Sequence, residues 1–168
     1  MIMMALVTCG VAQAQRTAAD DLFDRYSGKD GFTTVYITQG LFKLVAQLDP
    51  EDAEAQELMQ GLESIKILAS EDEESGIDFY REIEGKLPAD RYEELMVVKD
   101  GNDNVRFLVN QEGDRIRELL LVAGGTGDNA LIIIRGNIPL RSLGKLAHSL
   151  DIDGSGLELL EQLELDNQ

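Results

Sequence analysis

The sequence has almost none of the side chains on which thiol and imidazole chemistry depends. Its 168 residues include one cysteine, Cys9, one histidine, His148, and no tryptophan. Zinc sites are built from several Cys or His ligands, so one chain cannot supply such a site. We therefore expect no metal site and no cofactor.

Positive charge is also scarce. Lys and Arg together number 15, against 32 Asp and Glu, and the formal net charge is −17. Nucleic-acid binding requires Lys and Arg to neutralise phosphates, and an anionic membrane surface would repel this chain. The composition therefore predicts no nucleic-acid partner and no electrostatic attachment to a membrane.

The first 15 residues carry no charged side chain. The apolar run Ile2–Ala12, followed by the small-residue stretch 12–14, is typical of a secretory signal peptide with cleavage after Ala14. It is shorter than the roughly 20 residues that span a bilayer. No Lys or Arg precedes the run, so we expect the true start to lie upstream. Alternatively, residues 6–9 form a lipoprotein box with Cys9 lipidated, which would attach the chain to a membrane.

The predicted leader, residues 1–14, determines the compartment. Its removal would leave residues 15–168 as a single domain in the periplasm or outside the cell. Cleavage would also remove Cys9, leaving no thiolate nucleophile and no disulfide partner. A hydrophobic fraction of 43% indicates a folded domain rather than a disordered acidic chain.

Periodicity predicts a first half of the order βααβα, after a polar lead-in over residues 15–31 anchored by Leu22, Phe23 and Tyr26. The two strands are Thr33–Thr38 and Ile65–Ala69. The helices are one from Leu41 to Asp49, one with Asp49 as N-cap and Pro50 in its first turn, and one carrying Phe79, Ile83 and Leu87.

The period then changes to two, which predicts four strands, at 92–99, 105–110, 115–123 and 130–135. The gaps between them are short and turn-rich, so they permit hairpins but not parallel crossovers. Pro139 is predicted to open a helix to Leu150, and residues 151–168 form a terminal helix or tail. The fold class is α+β, an antiparallel meander with helices packed mainly on one sheet face.

Three segments resemble sites but lack a required residue. Asp151 and Asp153 match the start of a calcium loop, but Gln162 stands where a bidentate Glu is needed. Residues 124–127 are glycine-rich, yet a strand follows them instead of a helix, which favours a turn over a phosphate loop. The neighbours Glu93 and Glu94 point to opposite faces of a strand and cannot act on one substrate.

Several blocks resemble a known family. They are residues 22–37 (LFDRYSGKDGFTTVYI), 92–100 (YEELMVVKD), 116–122 (IRELLLV) and 134–140 (IRGNIPL). Together they are similar to the domain-of-unknown-function family 4252 (DUF4252), from about Asp20 to about Ser149. The resemblance implies a small exported bacterial protein with a leader, sometimes lipidated. It implies no catalytic residues, because the family has no established activity.

These observations favour a non-enzymatic binding module of the periplasm or cell envelope, contacting a protein or a small ligand. We expect its contact surface on the sheet face that helices leave uncovered, among residues of the meander that mix charge and apolar area: Arg106, Leu108, Arg115, Arg117, Leu119 and Leu121. Two alternatives stay open, a hydrolase that uses two carboxylates brought together by folding, and a structural protein that self-associates through sheet edges.

Overall fold

The computed structural model describes residues 16–47, 53–70 and 76–142, which form one six-stranded sheet with four α-helices packed on it. In chain order the elements are α1 (Ala18–Tyr26), β1 (Thr33–Thr38), α2 (Gln39–Val45), α3 (Ala53–Gly61), β2 (Leu62–Ser70), α4 (Phe79–Ile83), β3 (Glu93–Asp100), β4 (Asp103–Glu112), β5 (Arg115–Gly124) and β6 (Asn129–Pro139), followed by a 3-10 turn (Leu140–Ser142).

The strand order across the sheet is β1-β2-β6-β5-β4-β3, and every neighbouring pair is antiparallel. The last four strands therefore form the predicted meander. The segment at 124–127 is the turn between β5 and β6, as its sequence indicates. The chain joins its two halves by pairing β2 with β6, which leaves β1 and β3 as the open edges.

The sheet is apolar on both faces. On one face, α1 and α4 cover a core that includes Leu68, Leu120 and Ile133. On the other, α2 and α3 cover a second core, with Phe42 and Leu58 of these helices against strand residues. The α+β class and the antiparallel meander are thus confirmed. The sequence predicts helices mainly on one face, and α1 and α4 lie there. α2 and α3 lie on the opposite face, because the βααβ connection places them there.

The polar lead-in contains a helix that periodicity missed. Thr17 is the N-cap of α1, and its hydroxyl accepts from the backbone N–H of Asp20 while the Asp20 carboxylate accepts from the backbone N–H of Thr17. This reciprocal capping box satisfies two N–H groups that the first turn would otherwise leave free. Leu22 and Phe23, expected only as anchors, are buried core residues of this helix.

Two element boundaries also differ from expectation. The third predicted helix, α4, ends at Ile83, because Gly85 has a positive φ of 71° that helical residues do not adopt. Pro139 is the last residue of β6, where a proline is tolerated because a strand end needs no N–H donor, and the 3-10 turn Leu140–Ser142 follows it directly. The rest of the predicted helix to Leu150, the tail, the calcium-like segment and the leader lie outside the described residues, as does Asp49.

Candidate functional site

A polar cleft opens where the N-terminus of α1 meets the α1/α4 face of the sheet. Its volume is about 540 Å³. Twelve residues line it: Arg16, Thr17, Asp20, Asp24, Lys66, Pro88, Arg91, Tyr92, Asn110, Arg117, Glu118 and Arg135.

Asp20 is the central anion of the cleft floor and is only 5% exposed. The Nη1 and Nη2 atoms of Arg135 donate to its two carboxylate oxygens over 2.7 and 2.8 Å, a bidentate pairing. The Lys66 ammonium donates to the same carboxylate over 3.0 Å. The capping box of α1 thus holds a carboxylate that binds one cation of β2 and one of β6.

Glu118 is the second buried anion and lies directly opposite Arg135 in the β5–β6 ladder. It accepts a hydrogen bond from Nε of Arg135 and a second, over 2.6 Å, from the hydroxyl of Tyr92. Arg135 therefore lies between two carboxylates and binds both. The floor, defined as Asp20, Lys66, Tyr92, Glu118 and Arg135, balances two cations against two carboxylates.

This pairing fixes the charge states of the floor. Burial alone would raise the pKa of Asp20, but hydrogen bonds from Arg135, Thr17 and Lys66 outweigh it and hold the pKa well below its usual range. Burial and the hydrogen bond to Glu118 raise the pKa of the Tyr92 hydroxyl above its usual value. At neutral pH the floor thus contains an ionised Asp20 and a protonated Tyr92.

The rim is richer in cations than in carboxylates. Arg16 pairs with Asp24, and Arg117 donates to Glu112 and, over 3.0 Å, to the side-chain oxygen of Asn137. Arg91 is exposed, and its side chain forms no ion pair with any other described residue. Counting rim and floor, five cations and three carboxylates line the cleft. Just outside the lining set, Glu112 pairs with Arg117 and Asp21 pairs with Arg16, so Arg91 is the lining cation that has no ion pair among the described residues.

The comparison with known families gives one match. The family described as a domain of unknown function, DUF4252, matches residues 26–146, more than half of the chain. The chain belongs to the DUF4252 family. No significant match was found among curated proteins or among solved structures.

The structure separates the six contact residues expected in this DUF4252 chain. Leu108 is buried in the α1/α4 core, and on the same face Arg106 pairs with Glu94. Arg115 pairs with Glu57 of α3 over 3.3 Å. Only Arg117 lines the polar cleft, whereas Leu119 and Leu121 point to the opposite face of the sheet. The six residues therefore do not form one surface.

The sequence patterns do not point to the floor residues Asp20, Lys66, Glu118 and Arg135. One local signal existed, since Thr17 and Asp20 stand at capping-box spacing. Nothing local connects Asp20 to Arg135, because 115 residues separate them.

The described residues place limits on the chemistry. Among residues 16–47, 53–70 and 76–142, no three His, Cys, Asp or Glu side chains are grouped so that they could hold a metal ion. In the same ranges, no helix is long and apolar enough to cross a bilayer.

Proposed function

We propose that this DUF4252 protein is a non-enzymatic binding module of the cell envelope, and that its polar cleft binds a small anionic ligand. The observation that carries the proposal is Arg91, an exposed guanidinium at the cleft that forms no ion pair with any other described residue, in a chain of net charge −17. A cation without a paired carboxylate attracts anions, and a concave surface focuses its field on the ligand.

The construction of the cleft supports binding by preorganised groups. The floor residues satisfy one another, so they hold their positions without a ligand and need not reorganise when one enters. The rim supplies the groups that face outward, Arg91 above all. Guanidinium groups match carboxylate and phosphate oxygens with two parallel hydrogen bonds, which makes these two anion classes the expected ligands.

The hydrolase alternative has less support. Asp20 and Glu118 are two buried carboxylates in one cleft, which is the arrangement that a glycosidase needs. However, a general acid requires a raised pKa, and the pKa of Asp20 is lowered. Arg135 also binds both carboxylates, so it takes the position that a substrate oxygen or a water would need.

Self-association through sheet edges also has limited support. β1 and β3 are both open edges, and Val35 of β1 is 38% exposed. Yet β3 carries Glu93, Glu94, Lys99 and Asp100, and charged side chains on an edge oppose pairing with another strand.

The location is part of the same proposal. The uncharged leader and the family resemblance both favour export to the periplasm or secretion, with attachment through a lipidated Cys9 as the alternative. An envelope module would bind its ligand outside the reducing cytoplasm, where a domain without a cysteine is insensitive to redox conditions.

Isothermal titration with inorganic phosphate and with succinate tests the cleft. The wild-type chain should bind at least one of the two, and Arg91→Gln should weaken binding by roughly tenfold or more, because a hydrogen bond to a charged group contributes about 1.5–3 kcal/mol. Lys99→Gln is the matched control, since Lys99 is an exposed cation on β3 that does not line the cleft.

Two results would overturn the proposal. One is the absence of binding heat for the wild-type chain with either anion at millimolar concentration. The other is an equal loss of affinity in Arg91→Gln and Lys99→Gln, which would show that the anions respond to total charge and not to the cleft.

A further inference from the structure

A continuous row of apolar side chains crosses all six strands on the face opposite α1 and α4. The strand registers place its members directly opposite one another, one from each strand. We call this row the apolar band: Val35, Ile67, Ile132, Leu121, Phe107 and Met96.

Beside the apolar band runs a row of small side chains. Ala69, Ala130 and Ala123 are paired in register across β2, β6 and β5, and Val105 continues the row on β4. Bulky residues next to alanines form a shallow trough, and a trough of this kind admits the side chains of a helix laid across the strands. An antiparallel sheet that faces water on one side normally alternates apolar and polar residues, whereas this sheet is apolar on both faces.

The described helices cover only part of this face. α2 and α3 pack at β1, β2 and β6, with Leu58 against Ile65 and Ile134. The helix that contacts β4 and β5 is α4, and its residues Phe79 and Ile83 belong to the core of the opposite face. The α2/α3 core also reaches Val109 of β4 and Ile116 of β5. Among the described residues, the part of the apolar band at Leu121, Phe107 and Met96 therefore belongs to no helix-covered core.

The chain leaves the described region beside this face. Ile138 belongs to the α2/α3 core, the backbone N–H of Leu140 donates to the Asp114 carbonyl over 3.0 Å, and Arg141 pairs with Glu57 of α3. The described chain therefore ends at residue 142 next to α3, one of the helices that cover the same face.

The sequence that follows has the pattern of a covering segment. Leu143, Leu146 and Leu150 recur at helical spacing, and Leu157, Leu160 and Leu163 recur likewise after a short glycine-containing gap. The strands β5, β4 and β3 span about 10 Å at the usual strand separation. A helical stretch of about eight residues covers about 12 Å at 1.5 Å per residue, so either leucine stretch is long enough.

We propose that residues 143–165 of this chain dock on the apolar band as amphipathic helical segments. Docking places the leucines against Phe107 and Met96, which are half-buried, and over Leu121, which is 8% exposed. The occupant is thus the protein's own C-terminal segment, and this proposal does not depend on the function of the polar cleft.

Two full-length variants with the same added charge test the docking. Leu146→Glu with Leu150→Glu places carboxylates on the docking side of the segment. His148→Glu with Ser149→Glu adds the same charge at polar positions of the same segment. The leucine variant should bind the dye anilinonaphthalenesulfonate with several-fold higher fluorescence, because the apolar band becomes accessible, while the control variant should match the wild-type chain.

A measurement on the unmodified chain covers the case in which the leucine variant does not fold. Methyl-labelled full-length protein should show nuclear Overhauser contacts between Met96 and leucines of the segment 143–165, at an intensity independent of protein concentration. Three results would overturn the proposal: equal dye binding in both variants together with missing contacts, contacts found only between two copies in a mixed-label sample, or a wild-type monomer that already binds the dye strongly.

Discussion

Asp20 caps α1 and at the same time binds cations from β2 and β6, so one side chain links a helix terminus to the middle of the sheet. Removing one member of a buried ion pair leaves the partner charges without compensation, which costs far more than losing an exposed pair. The floor of the polar cleft is therefore a structural tether as well as the base of the proposed binding site.

Asp20→Asn should lower the free energy of unfolding by about 3 kcal/mol at neutral pH. The folded-state pKa of Asp20 lies below its ordinary value of 3.8, so its contribution is complete above that value and is lost as the pH falls through the range beneath it. The difference between the wild-type chain and the variant should thus shrink as the pH falls from about 4 to about 2. Urea denaturation at a series of pH values measures it.

Asp21→Asn is the control for this change, because Asp21 lies in the same turn of α1 but its side chain is 62% exposed. It should shift the free energy of unfolding by no more than about 0.5 kcal/mol, as surface substitutions usually do. Identical pH profiles for the two variants would contradict the role given to Asp20.

At the scale of elements, the contact between the end of α3 and β6 depends on two glycines. A side chain on Gly61 would come within 2.7 Å of the Asn137 carbonyl oxygen, and one on Gly136 would overlap the carbonyl oxygen of Gly61. Both are backbone atoms, so neither can move aside without shifting the strand or the helix. This close approach is what allows β2 to begin directly after α3, at Leu62.

Gly136→Ala should therefore destabilise the fold by about 2 kcal/mol or more, the usual cost of forcing extra volume into a packed contact. Thermal and urea denaturation measure the change. Gly40→Ala in α2 serves as control, since its nearest contact, the Thr38 hydroxyl at 3.6 Å, is ordinary and alanine favours a helix by about 1 kcal/mol. If Gly136→Ala were as stable as Gly40→Ala, the close contact would have no energetic role.

At the scale of the whole molecule, the expected cleavage point and the fold are compatible. Cleavage after Ala14 would leave Arg16 and the N-cap Thr17 in place, and both line the polar cleft. The mature chain would keep the whole net charge, because the leader carries none. Export would therefore deliver an intact cleft.

The protein recovered from the envelope fraction of its native host should have a mass that begins at Gln15. Intact-mass spectrometry checks this directly. A mass that begins at Cys9 with an added lipid would support the lipoprotein alternative instead, and an uncleaved N-terminus found in the cytoplasm would contradict export altogether.

Sequence alone determined the strands, the meander and the family, because these follow from local periodicity, short turn-rich gaps and contiguous blocks such as 92–100. It failed at α1, whose apolar face is short. Only the tertiary structure decided which charges meet. Four charged residues of the cleft come from four different elements: Asp20 from α1, Lys66 from β2, Glu118 from β5 and Arg135 from β6. They meet because β2 pairs with β6, and no local sequence pattern predicts that pairing.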